Sequence, residues 1–265
     1  MIVFIIPLKS PQASKSWYHV SKLFERCVKS VCNQTSPDFR VIVVCHEKPN
    51  IEFTHPHIKY VEVDFPLPGS EHRYKSRDQG RKVVTGLMLA REFQPEYTMI
   101  VDADDCISKY IAEFVKQHPD SNGWFMSKGY EYLDDSKRIF LKNKDFYKVC
   151  GTSNIIRYKL YDLPKSIDDE LLPEYYIPLG HSRIRETLEK KGENIEPLPF
   201  VGAVYISTKT GENNSSQKSL WDKLRNRNPR EILRPATKRL FQVLKSQPLT
   251  KPIIEEFGLY NIDLN

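Results

Sequence analysis

The chain has 265 residues, of which 40% are hydrophobic and 28% are charged, and its formal net charge is +6. This composition excludes a disordered or collagen-like chain, and the length suffices for one large domain with a complete core. No apolar run approaches the roughly 18–20 residues that cross a bilayer, and the apolar start Met1–Ile6 is too short for a signal peptide. Five cysteines without a C-x-x-C pair indicate neither a disulfide framework nor a zinc site. We therefore expect a cytoplasmic protein, in contact at most with the inner face of a membrane.

The positive charge is concentrated near the C-terminus. Residues 216–251 contain ten Lys or Arg and two acidic residues, a net charge of +8, which leaves −2 for the remainder of the chain. Apolar residues at helical spacing and three prolines predict short amphipathic helices in this stretch. It is either a solvated basic tail packed on the body or an interfacial segment that binds anionic lipid or an anionic acceptor. Without a zinc finger or an RNA-binding signature, we expect no nucleic-acid partner.

Strands and helices alternate over the first 122 residues. Continuous apolar runs predict buried strands, and apolar residues at spacings of three and four predict helices. The strands are Ile2–Ile6, Phe39–Cys45, Ile58–Val63 and Tyr97–Val101, and the helices are 16–33, 76–93 and Ile107–Gln117. This alternation predicts an α/β fold with a doubly wound, mainly parallel sheet, similar to a Rossmann fold.

After residue 123 the pattern changes. We predict a hairpin of Trp124–Tyr132 and Arg138–Phe140, a helix over 181–191 and a late strand Val201–Ser207. The predicted organisation is a body, 1–210, and a basic, mostly helical C-terminal tail, 211–265. The body divides into a first half, 1–122, and a second half, 123–210.

The strand Tyr97–Val101 ends in the acidic turn Asp102-Ala103-Asp104-Asp105. Residues two apart in extended backbone point to the same side, so Asp102 and Asp104 can converge on one point. Two carboxylates suit Mg²⁺ or Mn²⁺ held together with substrate phosphates, and ligands of open α/β sheets bind beyond the carboxyl ends of strands. The alternative is that Asp104 or Asp105 caps the following helix.

Three segments of the chain resemble family-2 glycosyltransferases, the inverting GT-A class. Val3–Pro7 resembles their first strand, residues 30–44 resemble their S-V-x-N-Q-T-x-x-D-F-E-V-I-V-V stretch, and Tyr97–Asp105 resembles their Y-x-x-x-x-D-x-D-D metal segment. A weaker likeness over 180–192 is to the acceptor helix. The resemblance implies a GT-A fold and transfer of a sugar from a nucleotide diphosphate to an acceptor hydroxyl, with inversion. It also implies that Pro7, Asp102 and Ala103 lie against the donor.

The chain departs from the family pattern at the nucleotide site. The second strand ends in Cys45-His46-Glu47, where the family has carboxylates, so Glu47 or, alternatively, His46 is a candidate contact to the nucleotide. Asp78 and Lys82, four apart on one helix face, are candidates for contacts to base and phosphate, or else form an ordinary surface ion pair.

Counting back from Lys191-Gly192, His181 occupies the position of the family's catalytic Asp. A histidine is a competent base because its ordinary pKa lies near 6.5. Its alternatives are a metal ligand and a helix cap. Asp169, in an acidic loop, is a second candidate base or only part of a solvated charge run.

Two further groups are candidates for ligand contacts. Lys209 precedes a polar stretch that is either a loop closing over the diphosphate or a plain linker. Thr152, Ser153 and Asn154 lie where the family's acceptor site would be.

Together these features predict a metal-dependent inverting glycosyltransferase that uses Mn²⁺ or Mg²⁺ and a nucleotide-diphosphosugar donor. The acceptor is a glycan or a lipid-linked sugar, and the basic tail contacts a membrane peripherally. The alternatives are a non-catalytic nucleotide- or glycan-binding module on a degenerate GT-A fold, or a nucleotidyltransferase. The latter usually needs a glycine-rich loop after the first strand, and residues 8–16 contain no glycine.

Overall fold

The computed structural model describes residues 1–66, 72–166, 179–208 and 245–262. Within these ranges the chain forms two sheets and five α-helices. The strands are β1 (Ile2–Pro7), β2 (Phe39–Cys45), β3 (Ile58–Glu62), β4 (Tyr97–Ile100), β5 (Cys106–Ile107), β6 (Gly123–Phe125), β7 (Gly129–Leu133), β8 (Arg138–Lys142), β9 (Asn154–Arg157), β10 (Glu196–Pro197), β11 (Ala203–Ser207) and β12 (Gln247–Pro248). The helices are α1 (Trp17–Cys32), α2 (His72–Leu89), α3 (Ile111–Gln117), α4 (Ile184–Lys190) and α5 (Lys251–Phe257).

The main sheet has seven strands in the order β10-β6-β9-β4-β1-β2-β3 among the described residues. The pairs β1–β2, β1–β4, β2–β3 and β6–β10 are parallel, and β9 is antiparallel to both of its neighbours. The predicted α/β fold with a mainly parallel central sheet is therefore confirmed.

The central strands are mostly apolar because both faces of the sheet are covered. One face, with Phe4, packs against α1 and α3, and the other, with Ile5, packs against α2. The α1 helix is strongly amphipathic, and the Ser16 hydroxyl caps its first turn by accepting from the backbone N–H of His19. No described helix has the length and apolarity to cross a membrane.

The second sheet has the order β12-β8-β7-β11-β5. It corrects two of our predictions. The strand predicted over Trp124–Tyr132 is two strands, β6 and β7, in different sheets, because the backbone N–H of Met126 turns to bond Ser153 and the carbonyl of Met126 accepts from Tyr147. The helix predicted from Ile107 begins only at Ile111.

Residues 106–107 form strand β5 because the hydroxyl of Ser30, on α1, accepts from the backbone N–H of Ile107 at 3.0 Å and donates to its carbonyl at 3.1 Å. This pair of bonds fixes Ile107 in extended backbone and docks the C-terminal half of α1 beside the acidic turn.

Residues 245–262, which the sequence assigned to the tail, pack on the body. Strand β12 pairs with β8, and Phe257 of α5 is buried in the core of the second sheet. Arg26 of α1 forms a bidentate pair with Asp134 at 2.6 and 3.3 Å and reaches the carbonyl of Tyr260 at 3.5 Å. The remaining tail residues, 211–244 and 263–265, lie outside the described residues, so the predicted domain boundaries stay a prediction.

Candidate active site

The acidic turn lies at the carboxyl end of β4, at the centre of the main sheet. The backbone N–H of Asp105 bonds the carbonyl of Asp102 at 3.0 Å and closes the turn. Asp102, Ala103 and Asp104 are partly exposed, whereas Asp105 is fully buried. The two predicted metal ligands therefore face accessible space, and the third carboxylate does not.

The carboxylate of Asp102 is oriented from two sides. Gln79 of α2 donates from Nε2 to Asp102 Oδ1 at 2.9 Å, and the backbone of Gly151 also donates a hydrogen bond to this carboxylate. A Cβ at residue 151 would lie 2.2 Å from Asp102 Oδ2, so only glycine permits this approach. No sequence pattern indicated a role for Gln79.

Asp105 is a structural carboxylate. It accepts from the Thr152 hydroxyl at 2.7 Å, from the backbone N–H of Ile206 at 3.0 Å and from the Cys150 thiol at 3.3 Å. The alternative that Asp104 or Asp105 caps α3 is wrong, because Tyr110 occupies the cap position without a side-chain bond.

Burial raises the pKa values of the three carboxylates, and repulsion from neighbouring carboxylates adds to the shift for Asp104 and Asp105. Burial is the largest cause for each, and the pKa of Asp104 rises to about 7, with the charge of Asp102 as the second cause. The pKa of Asp105 rises well above its ordinary range. The pKa of Asp102 also rises, although the charge of His181 and the hydrogen bonds that Asp102 accepts from Gly151 and Gln79 oppose the shift. A cation at Asp102 and Asp104 would relieve this repulsion.

The donor set fits a divalent ion that is shared with a substrate. Among the described residues, no group of three or more His, Cys, Asp or Glu side chains is arranged around one ion. Asp102 and Asp104 supply two carboxylates, a donor set that would suit Mg²⁺ or Mn²⁺ completed by water and phosphate.

His181 lies beside this turn. Its charge acts on the pKa of Asp102, and its carbonyl accepts from Asn154 Nδ2 at 3.1 Å. The residue is partly exposed and precedes α4. The structure thus brings His181 to the acidic turn, while Asp169, the second candidate base, lies outside the described residues.

Asp78 and Lys82 form a buried ion pair, so the alternative of an ordinary surface pair is wrong. Lys82 Nζ donates to Asp78 Oδ2 at 2.8 Å and to the carbonyl of Leu8 at 2.7 Å. Lys82 is 1% exposed and Asp78 is 9% exposed. Burial lowers the pKa of Lys82, which Asp78 partly offsets. The pair ties α2 to the end of β1, next to the buried Pro7.

Aromatic and charged side chains pack beside this pair. His46 Nε2 is 3.8 Å from Asp78 Oδ1, which has no hydrogen-bond partner among the described residues. The ring of Phe65 lies edge-on to His46, and the guanidinium of Arg81 lies 5.7 Å from the centre of the Phe65 ring. Glu47, the residue after His46, is exposed. The sequence interpretation missed Phe65, which follows β3 at the same edge of the sheet.

The three predicted acceptor residues connect the turn to His181. Thr152 and Ser153 are fully buried, and Thr152 also accepts from the backbone N–H of Asp102 at 2.9 Å. Asn154 is 8% exposed, and its Oδ1 has no partner among the described residues. Contact of these residues with an acceptor stays a prediction, and Lys209 lies outside the described residues.

The segment that supports the resemblance most strongly has a structural role. Gln34 Oε1 accepts from the backbone N–H of Ala112 at 2.9 Å and so caps α3 from outside the helix. Thr35 bonds Lys109 through its backbone and Glu113 through its hydroxyl. With Ser30, these residues fix the segment that follows the acidic turn.

No protein-family model matches the chain, and no curated protein gives a significant match. Among solved structures, the chain is similar to Staphylococcus aureus TarS 1–349, at 13% identity and a TM-score of 0.43 over 77% of this chain and 60% of that chain. The same protein in complex with UDP-GlcNAc matches at 15% identity and a TM-score of 0.42, over 83% and 62% of the two chains. The chain thus spans less than two thirds of the TarS fragment.

A cytidylyltransferase, Francisella tularensis IspD, is also similar, at 13% identity and a TM-score of 0.40 over 82% of this chain and 94% of that chain. At TM-scores below 0.5 these likenesses do not identify an activity. They agree with the α/β topology described above and leave the function to the site itself.

Proposed function

We propose that the protein is a metal-dependent glycosyltransferase that transfers a sugar from a nucleotide diphosphate to an acceptor hydroxyl with inversion. One observation supports this proposal most strongly. Asp102 and Asp104 lie partly exposed at the carboxyl end of the central strand β4, and a set of hydrogen bonds fixes Asp102 and the turn in one orientation.

Different residues are proposed to contact the nucleoside and the diphosphate. Asp78 and His46, with the ring of Phe65, are proposed to contact the nucleoside, and buried Lys82 positions Asp78 and the end of β1. Asp102 and Asp104 face the diphosphate. A bound Mn²⁺ or Mg²⁺ would neutralise negative charge that grows on the leaving diphosphate.

His181 is proposed as the base. Its imidazole takes the proton of the acceptor hydroxyl as that oxygen attacks the anomeric carbon from the face opposite the leaving diphosphate. Asn154 positions the residue through its carbonyl, and the neighbouring negative charge of Asp102 stabilises the imidazolium that forms. Asp169 is the alternative base.

The direct test is hydrolysis of nucleotide sugars in the presence of Mn²⁺, with UDP-GlcNAc as the first of a panel of donors. We expect slow, metal-dependent release of the nucleoside diphosphate, and loss of this release in Asp104→Ala. Asp120→Ala, at an exposed residue away from the turn, is the matched control. Because strict acceptor dependence can suppress hydrolysis, donor binding is measured in parallel by thermal shift.

Two results would reject the proposal. A parent protein that neither hydrolyses nor binds any nucleotide sugar, with or without Mn²⁺, is a module without this activity. Release of pyrophosphate from a nucleoside triphosphate and a sugar phosphate would identify a nucleotidyltransferase instead.

The acceptor is proposed to be a glycan or a lipid-linked sugar. The basic stretch 216–251 is the reason, since its charge of +8 favours an anionic surface. Peripheral attachment to a membrane would bring the enzyme to lipid-linked acceptors, and its test is given in the Discussion.

A further inference from the structure

Arg185, on α4, stacks on two aromatic rings. Its guanidinium lies 4.5 Å from the centre of the Phe125 ring and 6.0 Å from that of Tyr147, and these two rings pack edge to face. Arg185 forms no hydrogen bond or ion pair with any part of the chain that the structure describes. Stacking leaves the edge of a guanidinium, with its N–H donors, free to bind a planar or tetrahedral anion.

Arg185 lies on the same face of the main sheet as the candidate base. Phe125 is the cross-strand partner of Asn154, so their side chains stand side by side on one face. Asn154 in turn donates to the carbonyl of His181. Helix α4 covers this face through Ile184 and Leu188, which pack against Phe125. Arg185 and His181 therefore flank one continuous region.

A second group in this region lacks a partner. Asn154 Oδ1 is buried, and no described residue donates to it, although the residue is 8% exposed. A buried acceptor without a donor is unfavourable, so the site is arranged for a donor from outside, such as a sugar hydroxyl. The Arg185 guanidinium and Asn154 Oδ1, neither of which has a hydrogen-bond partner among the described residues, thus lie on one face beside the candidate base.

We propose that Arg185 and Asn154 form an acceptor subsite that binds an anionic sugar, with the guanidinium on a phosphate or carboxylate group and Asn154 Oδ1 on a hydroxyl. This inference rests on the proposed function. Because the Arg185 side chain is already ordered by two rings, little side-chain entropy remains to be lost on binding. The substrate class is therefore a negatively charged acceptor rather than a neutral glycan.

The test compares three probes, glucose 6-phosphate, glucuronate and glucose, by titration calorimetry against the parent protein saturated with UDP and Mn²⁺. We expect at least one anionic probe to bind about tenfold to a hundredfold more tightly than glucose. The two anionic probes separate phosphate from carboxylate recognition. Arg185→Gln should remove this preference, and Arg185→Lys should restore part of it.

Arg157→Gln is the matched control, because the guanidinium of Arg157 also stacks on a ring, 5.5 Å from the centre of Tyr97. It should keep the preference. Thermal unfolding of each variant verifies that it is folded. Two separate results would overturn the inference: equal binding of all three probes by the parent, or an unchanged preference in Arg185→Gln.

Competition identifies the region that the anion occupies. If UDP displaces the anionic probe from the parent, Arg185 belongs to the donor site and the acceptor subsite is wrong. Nucleotide-sugar hydrolysis and donor binding are measured in the parent, and Arg157→Gln should retain both. A parent that neither hydrolyses nor binds a nucleotide sugar would reject the proposed function, whereas a parent that does either but shows no anion preference would reject only this subsite.

Discussion

The hydroxyl of Thr152 donates to Asp105 Oδ2 at 2.7 Å and accepts from the backbone N–H of Asp102 at 2.9 Å. One side chain thus joins both ends of the acidic turn to the segment before β9. The turn has its shape because a buried carboxylate and a buried hydroxyl satisfy each other.

Thr152→Val should destabilise the protein by about 1–3 kcal/mol, because it leaves Asp105 and the N–H of Asp102 without their shared partner. Thr152→Ser retains the hydroxyl and should lose less. Chemical denaturation measures both variants. Equal stability of the valine variant and the parent would show that the hydroxyl is unimportant for the turn.

Gly151→Ala should abolish most of the activity while the protein stays folded. The added Cβ would lie 2.2 Å from Asp102 Oδ2 and must displace that carboxylate. A displacement of about 1 Å costs on the order of a hundredfold in rate. Gly202→Ala is the control, because its Cβ would crowd Met126 and Leu198 instead. It should lower stability and leave the rate per folded molecule unchanged.

Asp104→Asn should stabilise the metal-free protein at pH 8. The pKa of this carboxyl is raised in the folded state to about 7, from an ordinary value near 3.8, so its ionisation opposes folding. The cost is absent at about pH 4, grows between the two pKa values and is complete above pH 7. We expect the melting temperature of the variant to exceed that of the parent by about 2–4 °C at pH 8.

At pH 4 the melting temperature of Asp104→Asn should not exceed that of the parent. Added Mn²⁺ should stabilise the parent at pH 8 and have little effect on Asp104→Asn. A variant that melts below the parent at pH 8 without metal would contradict the raised pKa of Asp104.

Lys82→Met should destabilise the protein by about 3–5 kcal/mol, because it leaves Asp78 charged and unpaired in a buried position. Lys190→Met is the matched control, since Lys190 and Glu186 also pair at a spacing of four but both side chains are exposed. It should change stability by less than about 0.5 kcal/mol. Similar losses in the two variants would mean that the buried pair contributes no more than a surface pair.

Sedimentation with vesicles tests the membrane proposal. The protein should bind vesicles that contain phosphatidylserine, fail to bind neutral phosphatidylcholine vesicles, and be released by about 0.5 M salt. Replacing Lys238, Arg239 and Arg234 by Gln should weaken binding without affecting hydrolysis of nucleotide sugars. Equal binding of the parent to both vesicle types would reject an electrostatic attachment.

The sequence predicted the core of the fold because strands buried on both faces have a distinctive apolar pattern. The position of the acidic turn followed from the end of one such strand. The sequence did not predict the contacts of the turn, because Gln79 and Asp102 are 23 residues apart and Asp105 and Ile206 are 101 apart. Hydrophobic periodicity contains no information on such pairs.

The predicted start of α3 was wrong for a related reason, although its end at Gln117 was right. The run from Ile107 has helical spacing, but Ser30 bonds both backbone groups of Ile107 and fixes it in a strand. A tertiary contact from another helix thus overrides local propensity, and no local pattern reports it.

The C-terminal segment has a further consequence for the basic stretch. Strand β11 ends at Ser207 and β12 begins at Gln247, and both belong to the second sheet. The described residues on either side of 209–244 are therefore fastened to the same scaffold. A protease cut within that stretch would leave the C-terminal fragment bound to the body through β12, Phe257 and the contact between Arg26 and Tyr260. The nicked protein would migrate as one particle in its native state and as two chains once denatured.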